Sequence, residues 1–172
     1  MSKAPKIYVD SGPLIDLVKQ KVGASPRKER EKDVLYLDRL IQAAQEDEIQ
    51  MFTSVITIAE CTHLEDQKKL EAAKPFFLGL LASGKAGFRL VQPTLVIAER
   101  ARDLRWLHKA SLSGVDSLHV ASALQMGCDE ILTGDGKILN HAKIHAGLNI
   151  RVCRPSETSL LPPKFLQEKL SF

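Results

Sequence analysis

Four acidic side chains stand where a strand-like stretch gives way to a helical one. They are Asp10 in "KIYVDSGPLIDLV", Glu60 in "TSVITIAECTHL", Asp116 in "VDSLHVASALQM" and Asp135 in "EILTGDGK". Each alone has a simple structural use: Asp10 or Asp116 as a helix cap, Glu60 as a surface charge, Asp135 as a turn residue. Together they imply chemistry. Carboxylates that converge without a cation repel and raise one another's pKa values, and a divalent cation relieves that conflict. All-oxygen ligation with water left in the shell suits Mg²⁺ or Mn²⁺. Such a site polarises a phosphoryl oxygen, lowers the pKa of a bound water and stabilises the leaving oxygen of an in-line displacement.

Convergence requires elements that deliver these residues to one place. The run Ile7-Tyr8-Val9 reads as a buried strand that Ser11-Gly12-Pro13 breaks, with Pro13 suited to a first helical turn. Further strands are expected near 49–53, 88–91, 130–133 and 149–153, after a first at 6–10. Helices are expected near 13–22, 33–46, 54–65, 67–83, 95–109 and 115–126, with a short one near 136–145. Alternation of this kind gives parallel strands joined by helical crossovers. Asp10 and Asp135 then fall at carboxyl ends of strands, the edge where open α/β sheets bind ligands. Gly134 and Gly136 let the chain turn tightly around Asp135. Glu60 would lie in the second turn of a helix capped by Ser54, sharing a side with Thr57 and His63. Asp116 would open its helix, where the dipole favours negative charge.

The chain has 172 residues, 44% of them hydrophobic, which suits one well-cored domain. Its Lys and Arg total 24 against 21 Asp and Glu, a formal charge of +3 that permits a nucleic-acid partner without demanding one. No apolar stretch approaches the roughly 20 residues of a membrane span, and the N-terminus carries no export signal. Cys61, Cys128 and Cys153 are odd in number and widely spaced, so they read as reduced, buried residues of a cytosolic protein. The segment 19–32 carries six basic and two acidic residues and reads as an exposed loop able to grip a phosphate backbone or simply to be solvated. A second basic run, Arg100, Arg102, Arg105, His108 and Lys109, is either a solvated helix face or a wall facing RNA; Trp106 within it is expected to anchor the helix to the core. His141 and His145 have a spacing that can hold a transition metal, but with no further ligand near them they read as surface residues. The tail after residue 155 either packs back on the domain or meets a partner. A dinucleotide fold is excluded by D-S-G-P after the first strand. A phosphatase using a phosphoaspartate would want a second Asp where Gly12 stands.

The ordered series "VDSGPLIDL", "TSVITIAE", "VDSLHVASAL" and "ILTGDGKIL" resembles the PIN-domain nucleases, and most of all the small VapC-type toxins, over residues 6 to 155. The resemblance implies an α/β class fold: a three-layer α/β/α sandwich with a central, mainly parallel twisted sheet of about five strands. It implies a nuclease domain over 1–155 with a C-terminal extension at 156–172. The implied activity is a Mg²⁺- or Mn²⁺-dependent endoribonuclease, the toxin of a toxin–antitoxin pair in the cytoplasm. Its expected partners are RNA, a second copy of itself and a cognate antitoxin. Asp10, Glu60, Asp116 and Asp135 would be the catalytic, metal-binding acids, with Ser11 and Thr133 as supporting hydroxyls. His119 fits the family pattern without an implied catalytic role. Two positions depart from it. Gly12 replaces a small polar residue, and Lys137 stands where relatives often have a second acid. Lys137 could bind a phosphate or pair with a carboxylate. Both departures also suit a non-catalytic PIN-like module that binds RNA or protein and whose metal site has decayed.

Overall fold

A computed structural model of the chain describes residues 4–24, 28–61 and 67–166. Five strands, β1 (Lys6–Val9), β2 (Gln50–Ser54), β3 (Phe88–Val91), β4 (Glu130–Leu132) and β5 (Arg151–Cys153), form one sheet in the order β3-β2-β1-β4-β5. All four pairings are parallel. Parallel pairing needs crossovers, and the helices supply them: α1 (Ser11–Lys21), α2 (Glu31–Gln45), α3 (Ile56–Glu60), α4 (Gln67–Phe77), α5 (Leu95–Trp106), α6 (Gly114–Met126), α7 (Gly136–Asn140), α8 (Ala142–Gly147) and α9 (Pro163–Leu166).

The two-residue period of β1 divides the core. Ile7 and Val9 join one apolar cluster with Leu14, Leu17, Val34, Leu37 and Leu40 from α1 and α2. Tyr8 points the other way, into a second cluster with Ile97, Leu104, Val120 and Ile138 from α5, α6 and α7. The result is the expected α/β/α sandwich with a central parallel sheet. All three cysteines are buried. No helix among the described residues is long and apolar enough to cross a membrane.

Several expected elements shift. Helix α1 begins at Ser11, because the Asp10 carboxylate caps it by accepting from the Ser11 N–H at 2.8 Å. The helix placed at 54–65 is described only as Ile56–Glu60; Ser54 ends β2, its hydroxyl accepting from the Ile56 N–H, and His63 lies outside the described residues. The helix expected at 67–83 ends at Phe77 and continues as a π-helical turn over Leu78–Ala82. The short helix at 136–145 is two, α7 and α8, separated at His141. Gly127 ends α6 in the left-handed conformation (φ 62°) that only glycine adopts without strain.

The tail packs back as far as Leu166. Leu161 and Phe165 are buried in the α1/α2 cluster. The buried Glu130 accepts from the Arg151 guanidinium at 2.7 Å and from the Thr158 and Ser159 hydroxyls at 2.5 and 2.9 Å. Asp33 on α2 takes the Ser156 N–H and hydroxyl in the same way.

His145 is fully buried, which corrects the surface placement given to the His141/His145 pair. His141, half-buried, accepts from the Ser111 N–H through Nε2 at 3.1 Å. Among the described residues the His145 ring nitrogens find no well-formed hydrogen bond. Burial, then the neighbouring His141, pushes the His145 imidazole down to about 4, against a weak upward pull from the Ile138 backbone. A lowered folded-state pKa means that the unfolded chain takes up the proton first. Stability at neutral pH is therefore lost as pH falls from about 6.5 toward 4, by about 3 kcal/mol from this group. His145→Leu is expected to flatten that part of the stability–pH curve in urea unfolding; an unchanged curve would show that His145 is not buried neutral.

Candidate active site

The sheet order reverses direction at β1, so β1 and β4 lie side by side while their following helices pack on opposite faces. The crevice at the carboxyl ends of such a pair is the place where doubly wound sheets bind ligands. Asp10 and the Thr133–Asp135 turn both arrive there. The sheet ladder carries them in: the Asp10 N–H donates to the Leu132 carbonyl and the Thr133 N–H to the Cys153 carbonyl, each at 3.0 Å.

Thr133 joins the two acids. Its buried hydroxyl donates to Asp10 Oδ2 at 2.8 Å and accepts from the Asp135 N–H at 2.9 Å. Ser11 contributes its backbone N–H to Asp10 Oδ1. Burial raises the Asp10 pKa; the His119 charge, Thr133 and Ser11 oppose that rise, and Glu60 adds to it.

Glu60 reaches the site through His119. The imidazole Nε2 lies 2.7 Å from Glu60 Oε2 and 3.8 Å from Asp10 Oδ1. Its Nδ1 is 2.8 Å from the buried Tyr8 hydroxyl. Burial alone would lower the His119 pKa, but the Glu60 hydrogen bond and the charges of Asp10, Glu60 and Asp116 outweigh it and raise it. His119 thus stands between two carboxylates that favour its protonated form, a position that the sequence pattern left without a role. Cys61 beside them is inert: burial, then Glu60 and Asp10, push its thiol up to about 12.

Asp116 and Asp135 serve their own helices. Asp116 forms a capping box, Oδ2 accepting from the Ser113 N–H at 3.3 Å while the Ser113 hydroxyl accepts from the Asp116 N–H at 3.1 Å. Asp135 Oδ1 accepts from the Lys137 N–H at 2.6 Å. Asp10 and Asp116 therefore serve as caps, as the simpler reading holds, and Asp135, read there as a turn residue, caps α7; yet capping occupies only part of a carboxylate's acceptor capacity. The second oxygens of Asp116 and Asp135 make no hydrogen bond among the described residues. The donor set is of the right kind for a hard cation. In the arrangement described, no group of three or more His, Cys, Asp or Glu side chains among the described residues stands ready to hold a metal.

Arg30 enters from the basic segment that had read as an exposed loop. Its guanidinium donates to Asp16 Oδ2 at 2.7 Å and lies 3.5 Å from the Gly134 carbonyl. A Cβ at Gly134 would meet that guanidinium at 3.4 Å, an ordinary contact, so Arg30 lies directly against the turn that carries Asp135. Arg30→Ala is expected to cost about 1–2 kcal/mol in denaturant unfolding, because it strips Asp16 of its partner; a cost near zero would mean that the pair contributes nothing. Lys137 is exposed and makes no ion pair among the described residues. Around Gly12 a side chain would meet nothing within 4 Å, so there is room for the polar residue that relatives carry.

The PIN domain family matches residues 7–144. The fold is similar to the crystal structure of FitAcB from Neisseria gonorrhoeae (TM-score 0.56, 22% identity, covering 88% of this chain and 99% of that one). It is also similar to the structure of FitAB bound to an IR36 DNA fragment (TM-score 0.57, 21% identity, 89% and 97% covered). No curated protein matches the chain. A family match over most of the sequence and a shared fold agree with the motif order, and the chain belongs to the PIN domain family.

Proposed function

We propose that this PIN domain is a metal-dependent endoribonuclease that hydrolyses RNA phosphodiester bonds at the crevice between β1 and β4. The observation that carries the reading is the junction at Thr133, where one hydroxyl ties together two strand-end acids while Glu60 is drawn in by His119. Asp10, Glu60, Asp116 and Asp135 would hold Mg²⁺ or Mn²⁺, the last two through their free oxygens. When bound, the ion supplies Lewis acidity toward a phosphoryl oxygen and a water of lowered pKa.

The chain's own residues do the rest. Thr133 and the Ser11 N–H fix the Asp10 carboxylate, so its oxygens need not reorganise as charge develops. Glu60, less buried than Asp10, would orient an attacking water and take its proton. His119 holds Glu60 in that place and balances the paired negative charge. Lys137, exposed beside Asp135, offers a contact for a flanking phosphate.

As a nuclease domain over 1–155 with an extension at 156–172, the chain resembles the toxin of a toxin–antitoxin pair. Similarity to FitAcB and FitAB supports a partner protein, read here as a cognate antitoxin that covers the acidic crevice of a cytoplasmic homodimer. A second reading, a non-catalytic module that binds RNA or protein, is favoured by Lys137 and by His119 standing between Asp10 and Glu60 as a built-in cation. Incubation of the purified chain with a panel of structured and single-stranded RNAs, with Mn²⁺ or with EDTA, separates the two. Cleavage only with metal supports the nuclease; intact RNA under both conditions supports the binding module.

A further inference from the structure

The face of α5 carries large apolar side chains that the core does not use. Ile97, Ala101 and Leu104 form its buried side, while Leu95 and Trp106 stand 75% and 73% exposed. Trp106 corrects the expected core anchor, and its ring lies 5.1 Å from the Arg102 guanidinium. Between α5 and α6 runs a groove of about 610 Å³ lined by Ala101, Arg102, Arg105, Trp106, Gly114 and Ser117. It passes the N-terminal turn of α6, the turn that carries Asp116.

Three properties of this groove suit one kind of occupant. Arg105 makes no ion pair among the described residues, and Arg102, which lies over the Trp106 ring, is held by its neighbour Asp103, so the walls offer one uncommitted guanidinium and a second that an anion would share with Asp103. Trp106 offers a broad π-face to solvent. Ser117, 2% exposed, sits beneath the groove floor with a buried hydroxyl that has no hydrogen-bond partner among the described residues. A cluster of carboxylates repels a phosphate backbone, so affinity for RNA has to come from cations and stacking beside it. A second copy of the chain would use the apolar ring but would leave the arginines to find acids.

We propose that this groove binds the single-stranded RNA beside the cleavage point, one base stacked on Trp106 and adjacent phosphates held by Arg102 and Arg105. The proposal rests on the nuclease reading and assigns its substrate path. Stacking on an aromatic side chain is tolerant of sequence, whereas each arginine contact adds salt dependence.

Trp106 is the single tryptophan of the chain, so its emission reports on the groove directly. A short single-stranded RNA of mixed sequence is titrated into the full-length protein, with EDTA and again with Mn²⁺, and emission is read alongside polarisation of the labelled RNA. Expected are quenching of Trp106 and binding weakened about 5- to 100-fold by Trp106→Ala, with Trp106→Phe recovering part of it. Arg105→Ala should lower the slope of log affinity against log salt by about one. Circular dichroism checks that each variant folds. RNA bound with unchanged emission and equal affinity for Trp106→Ala would overturn the groove while leaving the nuclease reading in place. Sedimentation showing that Trp106→Ala splits a dimer, with RNA affinity unchanged, would likewise overturn it, making the face a contact between copies. Wild-type protein that neither binds nor cleaves RNA would overturn the nuclease reading itself, and the groove proposal with it.

Discussion

Asp10→Asn is expected to abolish the proposed RNA cleavage and to leave the fold standing. The Asn carbonyl can still accept from the Ser11 N–H or the Thr133 hydroxyl, so the turn into α1 keeps a cap. The substitution also removes a carboxylate whose pKa burial already raises, so the thermal midpoint is expected to hold or to rise slightly. Activity has no such compensation. A bound cation supplies several kcal/mol of charge stabilisation, and at about 1.4 kcal/mol per tenfold the expected loss is about 10²- to 10⁴-fold in kcat/KM. Rates on a defined RNA substrate measure it, with melting curves for both proteins. Cleavage within a few-fold of wild type in the folded variant would remove Asp10 from the chemistry.

His119→Ala is expected to be the most damaging substitution for stability. The imidazole is 1% exposed and touches three groups at once: Tyr8, Glu60 and Asp10. Removing it leaves a buried carboxylate beside another acid with no cation, and takes a partner from a buried phenol. Breaking a buried charge contact from one side costs about 3–5 kcal/mol. For a chain of this size that lowers the midpoint by roughly 6–20 °C. Added Mn²⁺ should then raise the midpoint of the variant more than that of the wild type, since the ion would supply the charge that His119 no longer does. A drop of only a degree or two would show that His119 is a spectator.

The sequence shows where the acids enter and conceals what surrounds them. Asp10 and Asp135 are legible because strand runs stop abruptly at D-S-G-P and T-G-D-G, and the sheet delivers both to one edge. The role of His119 is not. In α6 the buried run Ser117, His119, Val120, Ala121 and Ala123 leaves histidine looking like one more core residue, and its partners come from β1 and α3. The signal that could have found it is electrostatic: the buried Asp10 needs a cation, and His119 is the basic residue within "VDSLHVASAL". Trp106 misled for a geometric reason. It follows the buried Leu104 by two positions, about 200° around the helix, and so must face outward. His145 misled because, with no further ligand in view, the pair read as surface; the four-residue spacing holds, its N–H donating to the His141 carbonyl, but α8 turns His145 into the core. Arg30 could be read only as charge density until α2 placed it against Gly134.

The claim on which the rest depends is that these acids form a cation site. Calorimetric titration of Mn²⁺ into metal-free wild-type protein and into Asp116→Asn tests it most directly, with circular dichroism on both. Asn can keep the Ser113 cap of α6, so the variant changes charge more than structure. Expected are saturable binding by the wild type and binding weakened about tenfold or more in the folded variant. Absence of binding to wild type, with RNA present as well as without it, would contradict it, as would equal binding by both proteins.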